Sequence, residues 1–395
     1  MTLRDQYGTD VLLTGWAHSQ FGKLADRDLE SLIVEVAAGA VLDAGLEFRD
    51  IDAIFVGQFN SGMVPLAFVS SLALQATDDW FGTPATHVEN ACASGSAAFQ
   101  QGVTSLLAGR ARNVLVIGAE KMTHAPAAVV GAGLLGADYE LAGHESTTGF
   151  AGLFAHVAQA YSDAYGDCSD TLALIAAKSH RNAMDNPYAH LRKDLGYEFC
   201  RDVSDRNPLV AAPLRRTDCS PVSDGAAAVV LSSSPSANAA HAPVRLTGMG
   251  HANDFLPAAK RDPLAFAATR AAWDQALGMA GISLGDLDLI ELHDCFTIAE
   301  LNLYEVLGIA ERGKGRQAIE EGWVLADGRL PVNRSGGLKS KGHPVGATGV
   351  SQHVIAAQQL TGKAGAMQLD AVDAVAVHNM GGLAVANYVS VLQSI

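Results

Sequence analysis

The sequence predicts an α/β protein assembled from two similar halves, and three observations carry that prediction. VLLTGWAH at 11–18 returns as VRLTGMGH at 244–251, identical at five of eight positions. AGLEFRDIDAI (44–54) returns as AGISLGDLDLI (280–290), so the two matches keep their order at offsets of 233 and 236 residues. Such a near-constant offset marks an internal repeat rather than chance likeness among alanine-rich helices. Each half also alternates apolar strand-like runs with helix-like runs, the pattern of a sheet covered by helices on both faces.

The elements follow in chain order. Residues 11–18 read as the first strand and the alanine-rich run after them as a long helix; an Asp-hydrophobic-Asp turn at 50–52 then leads into the strand AIFVG (53–57). TPATHVE (83–89) is a short strand candidate. Everything after Cys92, ASGSAAFQQGVTSLLAGRA, reads as a helix with small residues in its first turn and Gly109 near its end. RNVLVIGAE (112–120) is the next strand. From 123 to about 218 the first half carries a stretch without counterpart in the second: helix-like FAHVAQAYSDAYG and ALIAAKSHRNAMDN, then irregular NPYAHLRKDLGYEF. Such an insertion serves as a lid, an oligomer contact or a passive surface excursion, and the sequence leaves these open. AAAVVLSS (226–233) closes the half and PSANAAHAP (235–243) reads as a linker, which divides the chain into 1–235 and 236–395. The second half repeats the scheme through VRLTGMGH, a helix, LIELH (289–293) and VDAVAVHNM (372–380), the last resembling RNVLVIGAE.

With 395 residues, 49% of them hydrophobic, the chain can bury a large core. The balance of 27 basic against 42 acidic residues, net −15, argues against nucleic acid or an anionic membrane as a general partner, while local basic pockets stay possible. The start lacks a basic segment followed by an apolar core, and no apolar run is long enough to span a bilayer, so a cytoplasmic location is expected. Five cysteines (92, 168, 200, 219, 295), an odd count without C-x-x-C spacing, suggest free thiols rather than a disulfide framework or a common zinc motif.

One of these thiols stands at a strand-to-helix elbow. A free cysteine packs as a small hydrophobe, which is the plain reading of Cys92. A helix N-terminus favours the reactive thiolate, however, and an elbow holds a nucleophile out from the sheet. The second half adds three polar clusters. In LIELHDCFTIAEL (289–301) a strand delivers His293, Asp294 and Cys295 to its C-terminal end, where reactive groups of open α/β sheets collect. Strand geometry would turn His293 and Cys295 to one face. NRSGGLKSKGHPVGATG (333–349) carries His343 before Pro344, and VAVHNMGGLAV (375–385) carries His378, Asn379 and Gly381. Two thiols and several imidazoles at strand ends offer a nucleophile, a base to activate it and a second proton carrier. A soft metal site from the same atoms is the alternative, against which the missing ligand spacings count.

NACASGSAA, RNVLVIGAEKM, TDCSPVSDGAAAVVL (217–231), HDCF (293–296), GGLKSKGHPVGATG (336–349) and HNMGG (378–382) together resemble the thiolase superfamily over nearly the whole chain, and within it the sterol-carrier-protein-2 type. The resemblance implies two βαβ-rich halves in a five-layer αβαβα arrangement, with a loop domain inserted in the first half. It implies an acyl-CoA C-acyltransferase of lipid or fatty acid metabolism, forming or cleaving a 3-oxoacyl-CoA through an acyl-cysteine. Acyl-CoA and CoA are then substrates, and no metal or redox cofactor is required. Position by position, Cys92 corresponds to the acyl acceptor, His343 to its base and Cys295 to the acid/base at the α-carbon. His293 and His343 would hold a thioester oxygen, and the N–H groups of Cys92 and Gly381 would form a second oxyanion hole. The helix terminus and His343 are expected to lower the Cys92 thiol.

The chain departs from the family in one place: HNMGG stands where many thiolases carry a C-x-G cysteine, so Cys295 supplies the second thiol and the role of His378 stays open. Lys339, Lys341, Arg215 and Arg216 are either contacts to CoA phosphates or solvated surface charge. A homodimer or homotetramer is expected, with the strands after the elbows near the interface. The alternatives are a ketosynthase-like acyltransferase, a thiolase-like sterol side-chain aldolase, and a non-catalytic subunit held by a small OB-fold partner. The aldolases lack the full cysteine and GHP set found here.

Overall fold

The computed structural model describes residues 3–395. In the first half α1 (Leu3–Tyr7) leads into β1 (Leu12–His18), α2 (Leu29–Asp43), β2 (Ala53–Gly57), β3 (Ala85–Val88), α3 (Ser94–Leu107) and β4 (Asn113–Glu120). The inserted stretch holds α4 (Ala127–Leu135), α5 (Gly149–Tyr165), α6 (Ser169–Ala183), α7 (Gly196–Arg201) and a hairpin of β5 (Leu209–Ala211) and β6 (Leu214–Arg215), before β7 (Gly225–Ser232) closes the half. The second half contains β8 (Val244–Asn253), α8 (Ala267–Ala280), β9 (Leu289–Glu291), α9 (Thr297–Val306), α10 (Gly315–Glu320), α11 (Gly337–Lys341), α12 (Thr348–Leu360), β10 (Ala374–Gly381) and β11 (Ala386–Gln393).

The main sheet runs β3-β2-β4-β7-β1-β8-β11-β10-β9, which reads as two mirrored sets meeting at β1 and β8. The join is short, Leu12 opposite Arg245 and Leu13 opposite Val244. Outward from it, β7 matches β11, β4 matches β10 and β2 matches β9; the β2–β4 and β9–β10 pairs are parallel and the pairs nearer the join antiparallel. β4 shows why this mixed sheet needs helices on both sides. Val114 and Val116 face a central core with Phe99 and Val103 of α3 and Val350 and Val354 of α12, while Leu115 and Ile117 face α2 through Ile33, Val36 and Ala40. In the second half α8 covers the outer face, Ala272, Trp273 and Ala276 packing with Val389 and Val391. The layers are therefore helix, sheet, helix, sheet, helix.

The repeated residues do the same work in both halves. A Cβ on Gly15 of β1 would lie 2.4 Å from the Ala40 carbonyl oxygen of α2, and one on Gly248 of β8 would lie 2.1 Å from that of Ala276 in α8. The glycine of each L-T-G thus lets an outer helix touch its strand. Gly248→Ala is expected to force α8 outward and cost about 1–3 kcal/mol, read as a lower denaturation midpoint. The Asp-hydrophobic-Asp turns repeat just as closely. Asp52 Oδ2 accepts from Arg112 and Asn113 N–H at the start of β4, and Asp288 Oδ2 accepts from Asp373 and Ala374 N–H at the start of β10.

Three readings of the sequence change. The strand predicted at 289–293 ends at Glu291, because Asn333 Oδ1 captures the Leu292 N–H and takes it out of the ladder. The irregular run 186–199 passes into helix α7 at its end. The insertion is not a passive excursion: Phe154 and Tyr161 of α5 and Leu172 and Ile175 of α6 are fully buried in one core with Ile298, Leu301 and Tyr304 of α9, so it clamps onto the second half.

Candidate active site

The elbow at Cys92 is built from short polar bonds. The Ser94 hydroxyl donates to the Ala91 carbonyl at 2.7 Å and accepts from the Asn90 N–H at 2.9 Å, which bends the chain before α3. Ala91 takes the left-handed φ of 50° that this bend demands, a strained state for a residue with a Cβ. The small residues of the first turn have a steric purpose, since a Cβ on Gly95 would sit 2.7 Å from the Gly346 carbonyl oxygen. The loop carrying His343 therefore reaches the elbow directly.

Cys92, Cys295 and His343 line one cavity of about 240 Å3. The wall is otherwise largely apolar, with Met122, Val345 and Phe296 from the two halves and Phe150, Ala151 and Val210 from the insertion. Burial, followed by the carboxylate of Glu120, pushes the Cys92 thiol up to about 12, and the Gly382 N–H opposes this. The expected lowering by the helix terminus is overturned: the sulfur lies out of water, and desolvation outweighs the dipole. Burial, then the neighbouring Cys92 and Asp294, hold Cys295 well above the ordinary thiol value. Both sulfurs carry their protons.

The two histidines have opposite tautomers, assigned by their partners. The Thr348 hydroxyl gives its one hydrogen to the Pro344 carbonyl, so His343 Nδ1, 2.6 Å from that hydroxyl, must donate to it. His343 Nε2 is then a free lone pair. Asn379 Nδ2 donates to His293 Nδ1 at 2.8 Å, with the Met380 N–H behind it at 3.4 Å, so His293 carries its hydrogen on Nε2. Burial, then Lys341, lowers His343 to about 3, and burial, then His343, keeps His293 well below the usual imidazole range. Both rings are neutral, one an acceptor and one a donor, with centroids 5.1 Å apart. Thr348→Val is expected to release the His343 tautomer and slow acylation about ten- to a hundredfold in stopped-flow measurement, with little change in thermal stability.

The structure brings together Cys92, His293, Cys295 and His343. His293 and Cys295 meet there past the end of β9, so loop geometry and not strand alternation places them. Gly381 ends β10 opposite Ala386, and the neighbouring Gly382, not Gly381, lines the cavity and turns its N–H to the Cys92 sulfur. His378 is fully buried and absent from the cavity wall. Of the four cations considered for CoA phosphates, three are buried and not solvated: Lys341 bonds Ser351, Arg215 pairs with Asp218, and Lys339 bonds His180. Arg216 alone is exposed.

Two supporting residues, Thr348 and Glu120, were missed in the sequence, and a third, Asn379, was noted there without a role. Asn379 fixes His293 and also donates to the Cys92 carbonyl at 3.2 Å. Thr348 sets the His343 tautomer. Glu120, fully buried, accepts from the N–H groups of Phe59, Asn60 and Gly346 and so ties the loops around Cys92 together. Each lies within or beside a motif quoted above, yet nothing in its spacing names a partner. Among the described residues no three His, Cys, Asp or Glu side chains are grouped to hold a metal ion, and no helix is long and apolar enough to cross a membrane.

Two thiols and an acceptor imidazole on one cavity, with a donor imidazole against that ring, make an arrangement that can transfer an acyl group. Residues 11–235 match the thiolase N-terminal domain and residues 250–394 the thiolase C-terminal domain-like family. The chain belongs to the thiolase family. It is 36% identical over 381 residues to acetyl-CoA acetyltransferase of Methanothermobacter thermautotrophicus, covering 94% of this chain and 96% of that one. It is 30% identical over 391 residues to sterol carrier protein 2 of Bos taurus, covering 94% and 70%. The solved Ltp2-ChsH2(DUF35) aldolase shares the fold, with a TM-score of 0.80 at 21% identity over 98% of both chains. The protein is an acyl-CoA C-acyltransferase of the thiolase type.

Proposed function

We propose that the chain cleaves and forms 3-oxoacyl-CoA through an acyl-Cys92 intermediate, with Cys295 as the proton carrier at the α-carbon. The observation that carries this reading is that two protonated thiols and a neutral imidazole with a free lone pair share one cavity. In the cleavage direction, Cys92 Sγ attacks the 3-oxo carbon as its proton passes to His343 Nε2. The C–C bond then breaks, and the electron pair is held as the enolate of acetyl-CoA, whose oxygen accepts from His293 Nε2–H. Cys295 gives its proton to that carbon, and the proton on His343 restores the Cys295 thiol. CoA next attacks acyl-Cys92, its thiol proton passing through His343 to the departing Cys92 sulfur. The Cys92 N–H with a glycine N–H from the β10 end, Gly382 being better aimed than Gly381, holds the acyl oxygen. Synthesis is the same path reversed. No metal or redox group enters, and CoA and its thioesters act as substrates.

Acylation then starts from a neutral thiol and a neutral imidazole. Between the values of about 3 for His343 and about 12 for Cys92, neither group titrates in the free enzyme. Stopped-flow acylation by acetyl-CoA is expected to show no inflection from either group in the neutral range; a bell with both limbs there would overturn the neutral pair.

The test of the function is thiolysis of a short and a long 3-oxoacyl-CoA by free CoA. Loss of substrate only when CoA is present supports the reading, and cleavage that ignores CoA supports the aldolase reading favoured by the Ltp2-ChsH2 fold likeness. A small OB-fold partner belongs with that second reading, because the solved aldolase neighbour is itself an assembly of Ltp2 with ChsH2(DUF35). We further propose a cytoplasmic homodimer or homotetramer. β3 ends the sheet as an uncovered edge close to the elbow, a strand that a second copy would cover. Light scattering at micromolar protein is expected to exceed the mass of one chain.

A further inference from the structure

A second cleft, of about 460 Å3, opens against the segment Cys219–Pro221. That segment also lines the catalytic cavity, and its Ser220 N–H donates to the Cys295 carbonyl at 2.9 Å. The cleft and the catalytic cavity therefore share one wall, whose backbone bonds that of Cys295.

Its lining includes four cations, Lys193, Arg206, Arg216 and Lys339, and no carboxylate. None of the four is ion-paired among the described residues. In a chain of net charge −15, four cations without an ion pair around one cleft are a local inversion of sign, although Asp218 and Asp294 act on Lys339 from behind it. Lys339 is the deepest, only 1% exposed, and its Nζ donates to His180 Nε2 at 3.3 Å. Burial, then Lys339 itself, lowers His180 to about 3, so the ring is neutral and offers a hydrogen bond without a counter-charge. The nearby Asp218 is already engaged by Arg215 and Thr297. A buried ammonium left in this state is costly, and an anion in the cleft removes the cost.

We propose that this cleft receives a carboxylate on the acyl chain, so that the preferred 3-oxoacyl-CoA is one whose chain ends in an acid; this rests on the thiolase reading above. The phosphates of CoA share the same chemistry, but the pantetheine arm holds them well away from the thioester, whereas Lys339 stands beside the wall of the reaction cavity. Leu191, Leu195 and Phe199 give the cleft apolar surface suited to the methylenes that lead to a terminal acid.

The test compares kcat/KM for thiolysis of two 3-oxoacyl-CoA chains of equal length, one ending in a carboxylate and one in a methyl group. The parental protein is expected to favour the acid about tenfold or more, and Lys339→Met to lose that preference. Should Lys339→Met not fold, Arg206→Gln with Arg216→Gln, both exposed, is expected to weaken the preference in the same direction. Absence of preference in the parental protein overturns the proposal. So does a Lys339→Met effect equal for both chains that disappears with pantetheine thioesters, since the cleft then serves a CoA phosphate. Calorimetry with glutarate at low salt is independent of turnover: binding that weakens in Lys339→Met supports the site, and no binding to the parental protein overturns it. A protein that binds glutarate but cleaves neither chain refutes the thiolase reading and leaves the anion site standing.

Discussion

Replacing Cys92 by alanine is expected to abolish acyl-enzyme formation and all turnover, whereas replacing Cys295 is expected to leave acylation intact and suppress C–C bond cleavage and formation at least about a hundredfold. The two thiols share a cavity and both are protonated, so their difference lies in what each can reach. Cys92 stands on the elbow with the Gly382 N–H turned to its sulfur and lines the same cavity as His343, where a sulfur can gain an acyl group and have its carbonyl oxygen held. Cys295 lies past β9 on the same cavity, and in the proposed mechanism it delivers a proton to carbon while His293, against the His343 ring, holds the enolate oxygen. Intact-protein mass spectrometry after mixing with acetyl-CoA, run beside a thiolysis assay, separates the outcomes. Turnover by Cys92→Ala, or condensation by Cys295→Ala at the parental rate, would reverse the assignment. A Cys295→Ala protein that fails to acylate would show instead that this thiol shapes the Cys92 site.

Lys178→Met is expected to destabilise the protein by about 3–5 kcal/mol, because it strips the partner from a buried carboxylate. Lys178 of α6 pairs with Glu300 of α9, both fully enclosed, and also donates to the Val332 carbonyl at 3.0 Å. The double variant Lys178→Met with Glu300→Gln is expected to recover much of the loss. Denaturant melts of the four proteins of this cycle check this; additive losses would mean that the pair contributes no coupling. Because α9 begins two residues after Cys295, the same bond anchors the insertion to the Cys295 segment, and Lys178→Met should lower kcat in the folded fraction if that thiol has the proposed role.

Several features were legible in the chain because local chemistry repeats. The L-T-G glycine and the second aspartate of each Asp-hydrophobic-Asp turn recur with the same job, a close helix approach at Gly15 and Gly248 and a strand-start acceptor at Asp52 and Asp288. A residue whose role is met within its own supersecondary unit leaves a periodic trace. The elbow at Cys92 was legible for the same reason, since Ser94 and the small first turn act over a few residues.

By itself, then, the sequence determined the duplicated α/β scheme, the interrupting insertion and the family of residues that gather around Cys92, Cys295, His293 and His343. The tertiary structure decided everything that depends on which groups meet from distant segments. Burial of the Cys92 sulfur beside Glu120 reversed the expected lowering of its pKa, and Asn333, 41 residues from Leu292, ended β9 early. Thr348 and Asn379 gave the two imidazoles opposite hydrogens, while Lys178 tied the insertion to the second half. Desolvation and hydrogen-bond pairing are properties of the closed core, where water is removed from groups far apart in the chain, and no spacing rule records them.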